Sequence, residues 1–485
     1  MSNLHNNRIP KHTVDSVYAG RFGIEIEEHR IQVGSKTLSR QPHPKTLGDR
    51  RTQPYFQTDF SESQEEVVTA PELSTALART HLHELQVMLS EELADDEIIW
   101  PLSMPPLLTD DDINFLNTHF ERPWYQDYRD RLLARYGSFQ HIMAGIHVNF
   151  SPSEDVIDWY AQQHAITSPV VAKNQLFFQI AQQVAGYRWL LTYLFGAAPV
   201  SENPADALPE NRHEIQPVRS WRSSDFGFVN RPEILVDYTD FNTHIQQIKQ
   251  YIANGEFYDK SEFYGPVRLK ASGDLDNLVQ NGAEYLEFRM FDIDPFSQDG
   301  ISQTALSFLH LLIIDAILNP TDWQKHKLDG ARAINHVVSL QHPNEPLPTS
   351  AATYAEELLT RLADIVQSAP VSQQADFQEA LDFAHSAVQD PTLTIGAHLS
   401  NYIVDDSLIT FGLKRGLEIL ASRHHNTLAD DFPTIPENLR KAYIQAHKNG
   451  LNVLTVTKDG SLQIKYDGKI QNINNEQDLA QYLTK

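Results

Sequence analysis

The sequence predicts an α+β protein with one sheet that is apolar on one face and charged on the other. Two patterns predict this fold class. Several short segments alternate apolar residues with charged or metal-binding residues, as strands do when successive side chains point to opposite faces. Several longer segments repeat apolar residues at helical spacing.

The alternating pattern occurs in four segments of the chain. In the first, residues 23–27, Glu25 and Glu27 share one face while the isoleucines between them occupy the other. The other three segments pair His147 with Asn149, Glu287 with Arg289, and Arg268 with Lys270. The charged face of the sheet would therefore present carboxylates, an imidazole and cations, which suits a divalent metal and phosphate.

Further elements follow from turn signals and helical spacing. Residues 20–71 predict a strand, an irregular excursion and a second strand, and residues 100–106 a proline-rich loop. Helices are predicted over residues 74–93, 170–194, 241–253 and 300–319, with several more over 349–423. Residues 452–466 predict a β-hairpin with an Asp-Gly turn, after a linker that contains Pro433 and Pro436. We therefore expect one large domain over residues 1–435 and a small appendage over residues 436–485.

The composition excludes several classes of function. A formal net charge of −25 at pH 7 argues against binding to nucleic acids or anionic membranes, although a cleft lined by local cations could still bind ATP. The chain has no Cys, which excludes disulfides, thiolate nucleophiles and Cys-based zinc sites. Residues 1–10 lack the apolar core of a signal peptide, and the apolar run 305–318 is too short to span a membrane. We expect a cytoplasmic protein.

The acidic residues and the histidine of the charged face are candidate ligands of a divalent metal. Mg²⁺ prefers carboxylate and phosphate oxygens, and an imidazole suits Mn²⁺ at least as well. The candidates are Glu25, Glu27, Asp59, Glu66, His147 and Glu287. Taken singly, a Glu-x-Glu strand is more often a solvated sheet face, and a lone histidine is more often structural. The residues by themselves leave a metal-dependent phosphate enzyme and a metal hydrolase as alternatives.

The same residues belong to an ordered set of motifs that resembles the bacterial-type glutamate–cysteine ligase (γ-glutamylcysteine synthetase) family. The matching segments are residues 22–27, 58–60, 66–69, 100–105, 128–129, 135–137, 145–151, 222–228, 264–268, 284–289 and 292–296. No single motif is decisive, but all of them follow the family order. The set also resembles the N-terminal ligase unit of bifunctional glutathione-synthesising enzymes.

The resemblance implies a fold related to that of glutamine synthetase, in which a curved antiparallel sheet forms a funnel with helices outside it. It also implies that the six candidate ligands bind Mg²⁺ or Mn²⁺ between ATP and glutamate. Arg289 and Glu287 would be catalytic, with Arg289 facing the transferring phosphoryl group, and Arg222 would bind a substrate carboxylate. The other substrate-binding residues would be Tyr128, Arg129, Tyr264, Phe228, His141 and Asn149.

The function implied by the resemblance is ATP-dependent ligation, the first step of glutathione synthesis. ATP would convert the γ-carboxylate of L-glutamate into γ-glutamyl phosphate, which the amine of L-cysteine then attacks. Phe228 stands where the family usually has Tyr, and His141 where it tends to have Gln, so a γ-glutamyl ligase for another amine is the alternative. A metal hydrolase is less favoured because the cations of the sheet face suit phosphate. Since no ATP-grasp region follows before residue 485, we expect a separate glutathione synthetase as partner, while the oligomeric state is not predicted.

Overall fold

The computed structural model describes residues 15–119, 126–137, 140–203, 208–457 and 459–483. Its strands are β1 (Gly20–Gln32), β2 (Thr37–Leu38), β3 (Phe56–Thr58), β4 (Gln64–Val68), β5 (Glu97–Ile99), β6 (Ile146–Pro152), β7 (Val267–Lys270), β8 (Tyr285–Phe291), β9 (Asn452–Val456), β10 (Leu462–Tyr466) and β11 (Lys469–Ile473). Residues 1–10, where no signal peptide is predicted, lie outside the described residues.

Helices occupy much of the chain between and after these strands. They are α1 (Thr75–Ser90), α2 (Asp110–Thr118), α3 (Gln126–Tyr136), α4 (Glu154–Gln163), α5 (Pro169–Gly186), α6 (Arg188–Phe195), α7 (Arg212–Ile215), α8 (Phe241–Ala253), α9 (Leu275–Asn281), α10 (Gln303–Leu318), α11 (Lys325–Leu340), α12 (Thr349–Gln367), α13 (Val371–Gln389), α14 (Ile395–Ser400), α15 (Ile409–His425), α16 (Leu428–Asp431), α17 (Arg440–Lys448) and α18 (Glu476–Leu483). Within the described ranges, none of these helices has the length and apolar character needed to cross a membrane.

The main sheet is built around β1. Its strand order is β3-β4-β1-β6-β8-β7, with β2 and β5 also paired to β1. Every pairing is antiparallel. The sheet is open, with β3 and β7 at the ends of this order. The predicted α+β class and the antiparallel sheet are therefore confirmed.

The two faces of the main sheet differ in polarity as the alternating pattern predicts. Ile24 and Ile26 of β1 are fully buried in the main hydrophobic core. The apolar helix α10 lies in the same core, and nearly all of its residues are buried. On the other face, the register places His147 of β6 opposite Glu25. The hydrophobic effect thus fixes which side of β1 carries its carboxylates, because a shift by one residue would place them in the apolar core.

β8 has one residue more than β6 between two paired positions. Ile146 pairs with Phe291 and Val148 with Phe288, so three steps along β8 oppose two steps along β6. An extra residue of this kind bends a strand and changes where its side chains point. Here it lies beside Arg289, while the next residue along β8, Met290, is buried.

One predicted helix is divided. The sequence predicts a single helix over residues 170–194, but α5 ends at Gly186 and α6 begins at Arg188. Between them, Tyr187 has a ψ of 12°, which departs from helical geometry. A Cβ atom on Gly186 would lie 2.3 Å from the ring of Trp323, so this close packing requires glycine.

The C-terminal residues form a second, three-stranded antiparallel sheet, ordered β11-β10-β9, which is followed by α18. The predicted hairpin corresponds to β9 and β10. Tyr55 anchors this sheet to the main domain, since its hydroxyl donates to Leu451 O at 3.1 Å and accepts from the Val453 amide at 3.1 Å. The predicted domain boundary between residues 435 and 436 stays a prediction.

Candidate active site

A cavity of about 250 Å³ opens on the charged face of the main sheet. Strands β1, β7 and β8 contribute two side chains each to it, β4 and β6 one each, and α3 three. The predicted site residues that line it are Glu25, Glu27, Asp59, Glu66, Tyr128, Arg129, His141, His147, Phe228, Tyr264, Glu287 and Arg289. The antiparallel pairing thus brings together residues that lie far apart in the sequence.

A cluster of carboxylates and one imidazole lies in this cavity. Glu25, His147 and Glu287 each offer a ligand atom, and these atoms lie within 4.8 Å of one another. His147 Nδ1 is 3.4 Å from Glu25 Oε2, and His147 Nε2 is 3.6 Å from Glu27 Oε1. Burial, together with the charge of Arg289, lowers the pKa of His147 to about 4. The imidazole is therefore neutral at pH 7, which is the form that binds metals.

Glu27 is a buried acid with incomplete charge compensation. Its Oε2 accepts the Gly145 amide at 3.0 Å. Burial, followed by repulsion from the Asp59 carboxylate, raises the pKa of Glu27 to about 8 although Arg222 and Arg289 oppose the shift. A divalent cation would relieve this repulsion, since it stabilises the ionised form of both acids.

Three cations surround Glu287. Lys270 Nζ donates to Glu287 Oε1 at 2.8 Å, while Arg289 and Arg268 donate to Oε2 at 2.9 and 3.4 Å. Burial by itself would raise the pKa of Glu287, yet the three cations hold that pKa well below its ordinary value. All three cations also line the cavity. This local excess of positive charge suits phosphate oxygens, in contrast to the acidic chain as a whole.

Aromatic side chains form another part of the wall. His141 stacks on Phe60 with ring centroids 5.1 Å apart, and it meets Phe228 and Tyr264 edge-on at 5.9 Å. Burial, and then the charge of Arg129, lowers the pKa of His141 to about 3, so its imidazole is neutral. Its Nε2 is buried without a hydrogen-bond partner in the described part of the chain. This part of the cavity therefore combines apolar surface with a polar atom that a ligand could satisfy.

Comparison with known proteins identifies the relatives of this site. The family model described as glutamate-cysteine ligase matches residues 7–260 and 253–336. The chain belongs to the glutamate–cysteine ligase family. It is 36% identical over 406 residues to the glutathione biosynthesis bifunctional protein GshAB of Streptococcus thermophilus, covering 83% of this chain and 52% of that protein. With GshAB of Pasteurella multocida it shares 30% identity over 383 residues, or 78% of this chain and 50% of that one.

The chain spans about half the length of these curated relatives. Among solved structures it is similar to a bifunctional glutathione synthetase from Pasteurella multocida, with a TM-score of 0.86 and 26% identity over 97% of this chain and 61% of that chain. The fold is also similar to that of glutamate–cysteine ligase from Francisella tularensis in complex with AMP, with a TM-score of 0.75 and 23% identity, covering 88% of this chain and 92% of that chain. The predicted family and fold are confirmed.

Two predicted substrate-binding residues of this family member lie outside the lining of the cavity. The Arg222 guanidinium is buried, donates to Phe291 O at 3.0 Å and lies 3.6 Å from Asp292 Oδ1. Asn149 donates its side-chain amide to Glu25 Oε1 at 2.7 Å. Arg222 thus braces the strand that carries Arg289, and Asn149 orients a candidate metal ligand. Their direct contact with a substrate stays a prediction.

The cavity also contains residues that were not among the predicted site residues. These are Phe60, Leu132 and Ser261, and the cavity is also lined by Arg268 and Lys270, which the sequence places on the charged face but not among the named site residues. Arg268 and Lys270 alternate on β7, a pattern that identifies their shared face but does not distinguish surface charges from cavity charges. Phe60 follows Asp59 directly and belongs to the same motif, residues 58–60, so the sequence could have identified it. Ser261 lies in a short 3-10 turn, Lys260–Glu262, and no local pattern indicates its position.

Proposed function

We propose that this chain is an ATP-dependent, ADP-forming ligase that joins the γ-carboxylate of L-glutamate to the amine of L-cysteine, the first step of glutathione synthesis. One observation carries the proposal: a single cavity contains the carboxylate–imidazole cluster, the three cations around Glu287 and the aromatic wall. Activating a carboxylate with ATP requires sites for metal, phosphate and an acceptor side by side. A hydrolase would not require the three cations.

The residues of the cluster fit bound Mg²⁺ or Mn²⁺. Glu25 and Glu287 supply hard oxygen donors, and His147 supplies a neutral nitrogen. The raised pKa of Glu27 beside Asp59 fits the same assignment, because a bound cation would relieve the repulsion between these two carboxylates. Glu66 lines the same cavity and completes the proposed set. When bound, such ions neutralise phosphate charge and align ATP with the glutamate carboxylate.

The chain's own residues would position and stabilise the reacting groups. Arg289, Arg268 and Lys270 would bind the phosphate oxygens through charge-assisted hydrogen bonds, and exchange part of their contact with Glu287 for ATP. A γ-carboxylate oxygen of glutamate attacks the terminal phosphorus, ADP leaves, and γ-glutamyl phosphate forms. The acceptor nitrogen then attacks the acyl carbon and the bond from carbon to the phosphate oxygen breaks. The nitrogen loses a proton, which leaves with the phosphate as HPO4²⁻, and the amide forms.

A second candidate function is ligation of glutamate to a different amine. The observation that favours it is the aromatic wall, where Phe228 has no hydroxyl and His141 presents a neutral imidazole. Neither residue touches the metal cluster directly, so a change of acceptor would leave glutamate activation intact. Cysteine stays the proposed acceptor because the chain belongs to the glutamate–cysteine ligase family.

The proposal is tested by ADP release from purified protein supplied with ATP, Mg²⁺ and glutamate while single amines are added. Cysteine is expected to accelerate ADP release and to give γ-glutamylcysteine by mass spectrometry. Glu287→Gln serves as the control for contaminating ATPase activity. If cysteine gives no more ADP than the sample without acceptor while another amine does, the acceptor assignment fails. If ADP release never depends on glutamate, either with an added amine or without one, the ligase assignment fails altogether.

Two further expectations are part of this proposal. The product would pass to a glutathione synthetase on a separate chain, although the relatives compared above are named as bifunctional proteins. The location in the cytoplasm likewise stays a prediction from the sequence. The first point is tested by adding glycine to the complete reaction: glutathione should be detected by mass spectrometry only when a glutathione synthetase is also added, and glutathione formed without it would contradict the expectation.

A further inference from the structure

A second cavity, of about 300 Å³, lies behind Tyr264 and apart from the metal cluster. The segment 229–236 covers it, α11 forms one side, and the residues before β7 form another. Its walls are largely apolar and include Ile234, Tyr238 and Leu328. Its volume is at the lower end of the range of small-molecule sites and would hold a ligand the size of an amino acid or dipeptide.

Arg188 lines this second cavity without a carboxylate partner. Its Nη2 donates to Ser223 O at 3.0 Å, and its Nε is buried without a hydrogen-bond partner. Among the residues that the structure describes, no Asp or Glu lies within ion-pair distance of Arg188. Burial lowers the pKa of Arg188, although the carboxylates of Asp225 and Asp292 oppose this shift from beyond ion-pair distance.

The other charged residues of the second cavity each have a partner. Arg231 lies 3.6 Å from Glu233, and Arg332 lies 3.1 Å from Asp329. Asp225, the acidic residue of the lining, bonds the exposed His336 at 2.7 Å. Arg188 and Arg231 both have an Nε atom buried without a hydrogen-bond partner, but of the two only Arg231 has a carboxylate within ion-pair distance in the described part of the chain. Arg188 is partly buried, and an anion that joined it would gain a charge-assisted hydrogen bond.

We propose that the second cavity is a binding site for a small organic carboxylate with an apolar body, whose carboxylate pairs with Arg188. A guanidinium suits a carboxylate because its parallel N–H groups match the two oxygens. The apolar walls suit a hydrocarbon or aromatic portion of the ligand. Inorganic phosphate is less suited, since it would leave the apolar walls exposed to water.

Tyr264 lines both cavities, so occupancy of the second one has a direct route to the first. Asn230 also lines the second cavity, accepts the Tyr264 amide at 2.8 Å and donates to Tyr136 Oη at 3.2 Å. A bound ligand would therefore affect the position of the aromatic wall and not that of the metal cluster. Occupancy should therefore change the KM for the acceptor and not the KM for glutamate. This effect on KM rests on the proposed function, whereas binding of the ligand does not.

Calorimetry with phenylacetate, and with neutral phenylacetamide as its matched control, tests the site. Glutamate, ADP and Mg²⁺ are present at saturation so that the active-site cavity is filled. Phenylacetate should bind at least about tenfold more tightly than the amide, and Arg188→Met should weaken its binding by at least about tenfold. Arg332→Met, which changes a paired arginine of the same lining, should bind within about twofold of wild type.

Ala331→Leu provides a second variant that leaves Arg188 intact. Ala331 lies on α11 in the lining, and leucine keeps its helical propensity while filling part of the cavity. It should also weaken phenylacetate binding by about tenfold. Absence of binding to wild type up to about 20 mM, or equal binding to wild type and Arg188→Met, would overturn the proposal. Phenylacetate binding that occurs without glutamate, ADP and Mg²⁺ but is lost when they are added would assign it to the active-site cavity and overturn the proposal equally, whatever the turnover assay gives.

Discussion

The central strand β1 and its neighbour β4 carry two groups of buried acids with opposite electrostatic surroundings. Glu65 of β4 bonds Arg30 of β1 at 2.8 Å and also pairs with Arg50. Although burial raises its pKa, these two arginines outweigh burial and lower the pKa of Glu65 to about 2. Glu27 of β1 is similarly buried, yet its pKa is raised to about 8 by burial and by Asp59.

The contrast separates an acid that stabilises the fold from an acid that is prepared for a ligand. The Glu65 carboxylate has its positive charges supplied by the protein, so it needs nothing further. The Glu27 carboxylate has too few positive charges around it. Proteins keep such an unfavourable arrangement where function requires it. Burial is nearly equal in the two cases, at 1% and 5% exposed, so burial alone does not distinguish them.

The largest expected effect is on turnover, and it comes from Glu27→Gln. The amide keeps the shape and the Gly145 hydrogen bond but removes the charge that would bind metal. ADP release with glutamate and cysteine should fall by about 10²–10³-fold or more. The melting temperature without metal should be unchanged at pH 7, where an acid with a pKa of about 8 is mostly neutral, and higher than wild type above pH 8, where glutamine removes a repulsive charge. A variant that retains wild-type turnover would contradict the contrast.

The same carboxylate-to-amide change at Glu65 should have the opposite pattern. Glu65→Gln leaves Arg30 and Arg50 without their shared counter-charge, and breaking a buried pair costs about 3–5 kcal/mol. Urea unfolding followed by circular dichroism should show a lower midpoint. The folded fraction should keep turnover close to wild type, since Glu65 does not line the active-site cavity. Loss of turnover without loss of stability would contradict the structural role.

The pH dependence of stability distinguishes Glu65 further. Its pKa is about 2 in the folded protein against an ordinary 4.5, so the folded state favours the ionised acid. The resulting stability is fully present above pH 4.5 and is lost as the pH falls toward 2. Its size is about 3 kcal/mol by linkage. Urea midpoints at pH 6, 5, 4 and 3 should show the gap between wild type and Glu65→Gln narrowing below pH 4.5; a constant gap would refute this linkage.

The smallest effect is expected at the aromatic wall. Phe228→Tyr adds a hydroxyl beside Tyr264, whose ring centroid is 4.6 Å away. One hydrogen bond to the acceptor is worth about 0.5–1.5 kcal/mol, so the KM for cysteine should fall by about two- to tenfold. The KM for glutamate, measured in the same assay, serves as the control and should not change. An equal change in both would place Phe228 outside the acceptor region.

The sequence predicts the strands better than the ends of the chain, and the reasons are physical. Glu25, Glu27, His147 and Glu287 lie on one face because alternation is a local property of a strand. The strand β11 was missed, since only Ile473 of its five residues is buried and the others show no alternation. Its turn was detectable, however: Asp467 and Gly468 both have positive φ, as an Asp-Gly hairpin turn requires.

For the site, the sequence identifies which residues share a face but not which charges compensate one another. Nothing near Glu65 in the chain indicates that Arg30 and Arg50 converge on it. Likewise, the alternation on β7 does not reveal that Arg268 and Lys270 meet at Glu287 of β8. Such convergence depends on strand register and on loops between distant segments, which pattern alone does not determine.

Binding of Mn²⁺, followed by electron paramagnetic resonance in the presence of glutamate, tests the contrast between the two acids most directly. Wild type and Glu65→Gln should bind Mn²⁺ alike, and Glu27→Gln should bind it at least about tenfold more weakly. Equal binding by all three proteins, or no binding by wild type, would contradict the claim that the buried acids of β1 form a divalent metal site.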